Sequence, residues 1–267
     1  IGGRGDTESL LTGFDNTGYH APMASLDITT VLLDLDGTLL PMDRDSFMES
    51  YLKAFAGKCL QIGLPVDRAM RALESGITAM IGNDGSMTNE RRFWQAFSEI
   101  MQIDMQDHMD RFLDFYRQEF TLIAHETVTD PTAAHMVRFL KDHGYRVVLA
   151  TTPVFPREGT LERMRWAGLD PSWFDMITTY EDFSFAKPSL GYYRQILERL
   201  GIEAAQCLMI GNDVEEDMVV RELGMQVFLV TDHLINRTGV DTSSFEKGSL
   251  SEACAYCKKL GRMEVRS

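Results

Sequence analysis

Positive charge is scarce in this sequence: 26 lysines and arginines stand against 40 aspartates and glutamates, a formal net charge of −14 at pH 7. Such a surface repels nucleic acid and anionic membranes, and neither is expected as a partner. Long apolar runs are missing too. No stretch of about 18 apolar residues occurs, which excludes a transmembrane helix on length. The first residues hold no basic stretch followed by an apolar one, so no secretory signal is read there, and a cytoplasmic protein is the expectation. Cysteine is sparse, at four in 267 residues, which suits a reducing compartment. Cys254 and Cys257 form a C-x-x-C, but no second pair or histidine cluster accompanies it. Two thiols on one helical face is a better reading than a metal or redox site.

What is present is an ordinary globular balance, 44% hydrophobic and 25% charged, on a chain long enough for a core domain and one smaller domain. Residues 1–27 show no lasting periodicity and are expected to be a flexible leader, with Met23 as a natural start. From Ile28 the pattern alternates. Apolar runs at 28–35, 146–150, 174–179, 206–211 and 225–230 read as buried parallel strands. Amphipathic stretches at 131–143, 157–169, 190–201, 215–224 and about 248–260 read as helices. Strands separated by single helices predict an α/β fold with a doubly wound parallel sheet, built from residues 28–41 and 125–267. Residues 42–124 break the rhythm: four stretches of helical apolar spacing, with no strand signal between them, predict an inserted all-helical domain.

Four short stretches each fall at the carboxyl end of a predicted strand, the edge where open parallel sheets bind ligands. In DLDGTL, Asp34 and Asp36 stand at i and i+2 where the chain turns at Gly37. An aspartate carboxylate can attack phosphorus, and a second can serve as general acid and base. A D-x-D-G can also be a turn or a calcium loop, although the preceding strand argues against calcium. In VVLATTP, Thr151 and its backbone amides could hold phosphoryl oxygens; alone, this is common turn chemistry. In FAKPS, Lys187 could offset carboxylate charge, while a surface lysine at a helix start is the bland alternative. In LMIGNDVEEDM, Asp213 could face a cation, with Asp217 orienting it from behind; an acidic helix start is also good dipole chemistry. Their convergence outweighs any one of them. Four carboxylates around a dianionic phosphate repel by about 1–4 kcal/mol per pair at about 4 Å. Such a site needs a divalent cation, and all-oxygen ligands point to Mg²⁺.

Asp34-x-Asp36-Gly37-Thr38, Thr151, Lys187-Pro188 and Gly211-Asn212-Asp213-x-x-x-Asp217 resemble, in order, the four motifs of the haloacid dehalogenase superfamily. The resemblance covers about residues 28–230, and the helical insertion is similar to that family's C1 cap. It implies a Rossmann-like core, Asp34 as nucleophile and Asp36 as general acid and base. It also implies that Thr151, Thr152 and Lys187 bind the phosphoryl group. Mg²⁺ would lie on the Asp34 carboxylate, the Asp36 carbonyl and Asp213, with Asp217 behind them. Thr152 departs from the asparagine that often follows the second motif, and Asn212 from the usual Gly-Asp. The family's dehalogenases generally lack an acid at the position of Asp36, so the implied reaction is hydrolysis of a small phosphorylated metabolite through an aspartyl-phosphate. A sugar phosphomutase using the same intermediate is the alternative, and a non-catalytic scaffold the third. Asp43, Arg44 and Arg91 are weighed as polar contacts of the cap, with solvated surface the better reading of each.

Overall fold

The computed structural model describes residues 27–104 and 108–260; the leader expected over 1–27 thus lies, apart from Asp27, outside the described residues. Thr30–Leu33 (β1), Arg146–Leu149 (β2), Met176–Ile177 (β3), Cys207–Gly211 (β4), Gln226–Val230 (β5) and Glu246–Gly248 (β6) form one sheet. Its order is β3-β2-β1-β4-β5-β6, with every pairing parallel. Thr30 lies beside Arg146 on one side and Cys207 on the other, so the carboxyl ends of three strands are level. The strand order reverses between β1 and β4, which opens a crevice at their ends. The strand expected over 174–179 shortens to two residues, because the Thr178 hydroxyl turns back onto the carbonyls of Leu149 and Thr151. β6 has no counterpart in the expectation. Its sequence, EKG, carries no apolar signal, and pairing with β5 alone makes it a strand.

Between β1 and β2 the chain leaves the sheet as Arg44–Gln61 (α1), Val66–Ile81 (α2), Asn89–Met101 (α3) and Met109–Arg117 (α4), followed by a 3₁₀ segment, Glu119–Glu126. Asp43 accepts the Ser46 N–H and Thr88 the Arg91 N–H, which starts α1 and α3 at these positions. Phe47, Tyr51, Phe55, Phe97, Phe112, Phe115 and Phe120 form the buried aromatic centre of this insertion. Phe55 stacks on Phe112 with ring centroids 5.4 Å apart. The outgoing and returning chains are fastened together. Met42 forms an antiparallel bridge with Thr127, and the Val128 N–H donates to the Pro41 carbonyl at 2.9 Å.

The core helices are Pro131–Asp142 (α5), Arg157–Trp166 (α6), Leu190–Leu200 (α7) and Leu250–Lys259 (α8). Val31, Leu33, Val147, Leu149, Leu208 and Ile210 face α5 and α8, meeting Met136, Val137, Leu140 and Ala253. Leu32, Val148, Met209 and Leu229 face the other way, against Tyr192, Tyr193 and Ile196 of α7. Both faces are covered, so the strands read as unbroken apolar runs. Each fully buried side chain of this kind contributes about 1.5–3 kcal/mol. Cys254 and Cys257 are both buried on the inner face of α8, where burial pushes the Cys257 thiol up to about 12. The helix expected over 215–224 is instead a turn leading into a short 3₁₀ segment, Met218–Leu223. The Asp213 and Asp217 side chains take the backbone N–H groups of this turn, and such local bonds compete with an α-helical start. Among the described residues, no helix is long and apolar enough to cross a membrane.

Candidate active site

Asp34 is the first residue past β1, and its N–H donates to the Ile210 carbonyl of β4 at 3.0 Å, so it stands at the crevice where the strand order reverses. The chain then folds back at once: the N–H groups of Thr38 and Leu40 both donate to the Leu35 carbonyl. Gly37 makes that turn with φ +81°, and a Cβ there would sit 2.4 Å from Asn212 Nδ2. Only glycine meets both conditions. The Thr38 hydroxyl lies 3.0 Å from Asn212 Oδ1 and 3.3 Å from Asp34 Oδ2, within reach of either acceptor.

Lys187 comes from the opposite side of the crevice. Its Nζ donates to Asp34 Oδ1 at 2.8 Å and Asp217 Oδ1 at 2.6 Å, and all three side chains are buried. Burial works against the lysine's charge, but Asp217 and Asp34 outweigh it and hold its pKa well above the ordinary value. Burial also pushes Asp217 upward. With an ammonium at 2.6 Å and the Asp213 N–H donating to Asp217 Oδ2 at 3.0 Å, we take the pair as charged. Gly211 makes this approach possible: a Cβ there would fall 2.1 Å from Asp217 Oδ2.

Asp36 has a different partner, one that its sequence neighbourhood does not announce. Arg163 of α6, fully buried, pairs with Asp36 Oδ2 through Nη1. The guanidinium is held 4.2 Å from the Phe155 ring centroid, and its Nε donates to the Gly159 carbonyl at 3.3 Å. Asp36 Oδ1 is buried with no hydrogen-bond partner. Burial raises the Asp36 pKa above the ordinary carboxylate value; Arg163 opposes this and Asp34 adds to it.

Asp213 follows β4 and is also buried. Its Oδ1 accepts the N–H groups of Glu215 and Glu216, and Arg237 donates to both carboxylate oxygens, at 3.1 and 2.8 Å. Arg237 is placed because the returning segment lies along the loop: the Ile235 N–H donates to the Asn212 carbonyl, and the Val214 N–H to the Ile235 carbonyl. Thr151 is buried past β2, where its carbonyl accepts the hydroxyls of Thr178 and Tyr192. The Thr152 hydroxyl donates to Glu216 Oε2 at 3.0 Å. The crevice therefore gathers Asp34, Asp36, Thr151, Thr152, Lys187, Asp213 and Asp217 on one cavity of about 480 Å³. Asp43 and Arg44 line its exposed mouth, whereas Arg91 is exposed and does not line it. Arg163, Arg237 and Glu216 are charged residues of the site that strand-end reasoning passed over. A cation 24 residues beyond Asp213, in INR, was the available signal for Arg237.

The donor set suits a hard divalent cation. The Asp34 and Asp213 carboxylates and the Asp36 carbonyl offer oxygen alone, and Asp36 Oδ1 has an unused lone pair in the same crevice. Among the described residues, no three acidic, histidine or cysteine side chains form a compact ligand group. A cation at Asp213 would displace Arg237, which is the more exposed partner and has Glu215 and Glu216 within 3.6 Å to receive it.

The sequence profile of the haloacid dehalogenase-like hydrolases matches residues 28–219. A glyceraldehyde 3-phosphate phosphatase of Methanothermobacter thermautotrophicus is 23% identical over 229 residues, covering 84% of this chain and 93% of its own. Among solved structures, a haloacid dehalogenase phosphatase from Thermococcus onnurineus superposes with a TM-score of 0.55 at 21% identity, covering 89% of this chain and all of its own. The hydrolase YfnB of Bacillus subtilis, solved bound to magnesium, gives 0.53 at 19% identity, over 87% of this chain and all of its own.

Proposed function

This chain belongs to the haloacid dehalogenase-like hydrolases, and from that premise we propose that it is a Mg²⁺-dependent phosphatase that hydrolyses small phosphate monoesters through an aspartyl-phosphate on Asp34. One observation carries the reading. Two carboxylates two residues apart are held differently. Asp34 is ion-paired to buried Lys187, while Asp36, held at Oδ2 by Arg163, keeps a buried Oδ1 with no hydrogen-bond partner, and burial raises its pKa above the ordinary carboxylate value. A site that divides two carboxyls in this way has assigned a nucleophile and an acid.

The Asp34 carboxylate attacks phosphorus, the ester P–O bond breaks, and Asp36 delivers its proton to the departing alkoxide. Asp36, now a carboxylate, takes a proton from water as that water attacks the same phosphorus. Inorganic phosphate leaves, and Asp34 is restored. Lys187 keeps Asp34 and Asp217 from repelling each other and the phosphate. The buried Thr151 turn supplies backbone amides to the phosphoryl oxygens, with Thr152 beside it. Arg163 holds Asp36 in place. Asp34, Asp213 and the Asp36 carbonyl would hold Mg²⁺, with Asp217 positioning the loop behind Asp213; when bound, the cation neutralises phosphoryl charge. We take residues 42–124 as the cap and 28–41 and 125–267 as the core, with the Met42–Thr127 bridge fastening the outgoing and returning connections.

Phosphate release from an aryl phosphate should vanish in EDTA and return with Mg²⁺, whereas Ca²⁺, larger and looser in its coordination, restores it poorly. Acid quenching during turnover, followed by hydroxylamine, should leave a hydroxamate on Asp34 detectable by mass spectrometry. A hydroxamate elsewhere, or full turnover without a divalent cation, would refute the assignment.

A further inference from the structure

The cavity over the strand ends is chemically lopsided. Its floor is Asp34, Asp36, Lys187 and Asp213, and its mouth carries Asp43 and Arg44. Between them, every helix of the insertion and the loop after β2 contribute apolar wall: Phe47, Ile77, Trp94, Leu113 and Phe155. The hydroxyls of Tyr51 and Tyr116, which also reach this wall, lie 3.0 Å apart, one donating to the other. Trp94 Nε1 and the Tyr180 hydroxyl sit together, short of full hydrogen-bond geometry. At the rim, Ile81 and Leu234 remain 49% and 43% exposed, where a polar ligand would favour polar side chains.

Protein interiors close-pack and leave few voids larger than a water molecule. A space of about 480 Å³ with an aromatic wall is a ligand pocket in size, and larger than a phosphate on a short polar chain fills. Among the described lining residues, the full charges stand at the floor and the mouth, His233 beside them. A sugar or polyol drawn into the middle would meet mostly aromatic and aliphatic carbon, where the tyrosine hydroxyls and Trp94 Nε1 are too few to partner all its hydroxyls, which is unfavourable. Resting on the phosphatase reading above, we infer that the substrate is the phosphate monoester of a hydrophobic alcohol or phenol. The apolar group lies among the cap's aromatic side chains, and the phosphate lies at Asp34.

Two measurements on the full chain with Mg²⁺ separate this inference from the reading it rests on. The first follows kcat/KM for n-alkyl phosphates of increasing length, with phenyl and naphthyl phosphates as the aryl arm and glycerol 3-phosphate and glyceraldehyde 3-phosphate as polar esters of matched size. Values should climb roughly fourfold per buried methylene until the pocket is full, with polar esters at least about tenfold below their apolar counterparts. The second measures, by calorimetry, binding of non-hydrolysable alkylphosphonates, whose affinity should climb in the same way with a negative heat-capacity change. If the phosphonate series climbs but no ester is hydrolysed, the pocket assignment stands and the reaction falls. If hydrolysis occurs but polar esters match or exceed apolar ones, the inference is overturned and the reaction stands. Ile77→Trp, which fills the wall, should move the optimum to shorter chains; an unmoved optimum in a folded variant also overturns it.

Discussion

The two ends of one cavity are built on opposite principles. At the sheet edge each charged side chain is held by partners from distant segments: Lys187 by Asp34 and Asp217, Asp36 by Arg163, Asp213 by Arg237. Under the insertion, shape and apolar area do the holding, as in the Phe55–Phe112 stack. A polar network is directional, and removing one member strands the others in a low-dielectric interior. An apolar wall is non-directional and yields to changes of similar volume. The two ends are nevertheless joined: buried Asn89 of α3 donates to the carbonyls of Pro153 and Phe185, in the loops that carry Thr152 and Lys187, so the insertion and the catalytic loops are held in register.

That contrast can be broken by substitution. The largest effect belongs to Asp34→Asn, which keeps the shape and removes the nucleophile. Turnover should fall by several orders of magnitude with an unchanged circular dichroism spectrum, and retention of a substantial fraction of activity would contradict covalent catalysis. Lys187→Met should lower unfolding free energy in urea by about 3–5 kcal/mol, because two buried carboxylates lose their ammonium; a loss near zero would mean that the network carries little. Arg163→Met tests the same end more finely. Asp36 loses its anchor, so hydrolysis of alkyl esters should drop about 10- to 100-fold while p-nitrophenyl phosphate, whose leaving group needs no proton, drops far less. Equal losses on both would make Arg163 a packing residue only. The smallest effect is at the other end: Ile77→Val in the wall should cost at most about 1 kcal/mol and keep the variant active. A loss as large as that of Lys187→Met would erase the distinction between the two ends.

The sheet was legible because its strands are buried on both faces, so Val31–Leu33 and Leu208–Ile210 read as unbroken apolar runs. The four helices of the insertion were legible for the equivalent reason, a sustained helical period. β6 was not, since EKG has no hydrophobic signal and is a strand only because β5 offers it a ladder. Nor was the turn after Asp213, where aspartate side chains took the backbone donors that a helix would have used.

Most element types, though not β6 or the turn after Asp213, could be read from the linear chain, as could the place of Asp34, Asp36, Thr151 and Asp213 just past strand ends, because burial pattern and strand-end spacing are local properties. Lys187 was expected at such an end too, but it lies well beyond Ile177, where β3 stops, in the turn before α7. Which charges meet, by contrast, was settled by packing. Arg163 and Asp36 are separated by 127 residues, and Lys187 and Asp34 by 153. The physical reason is that an ion pair depends on where two side-chain tips arrive, and a charged residue on a helix has the same local pattern whether its tip reaches solvent or a buried carboxylate. The apolar wall was decided the same way: Phe47, Ile77 and Trp94 each read as ordinary helix core, and the space between them exists only once α1, α2 and α3 are packed above the sheet.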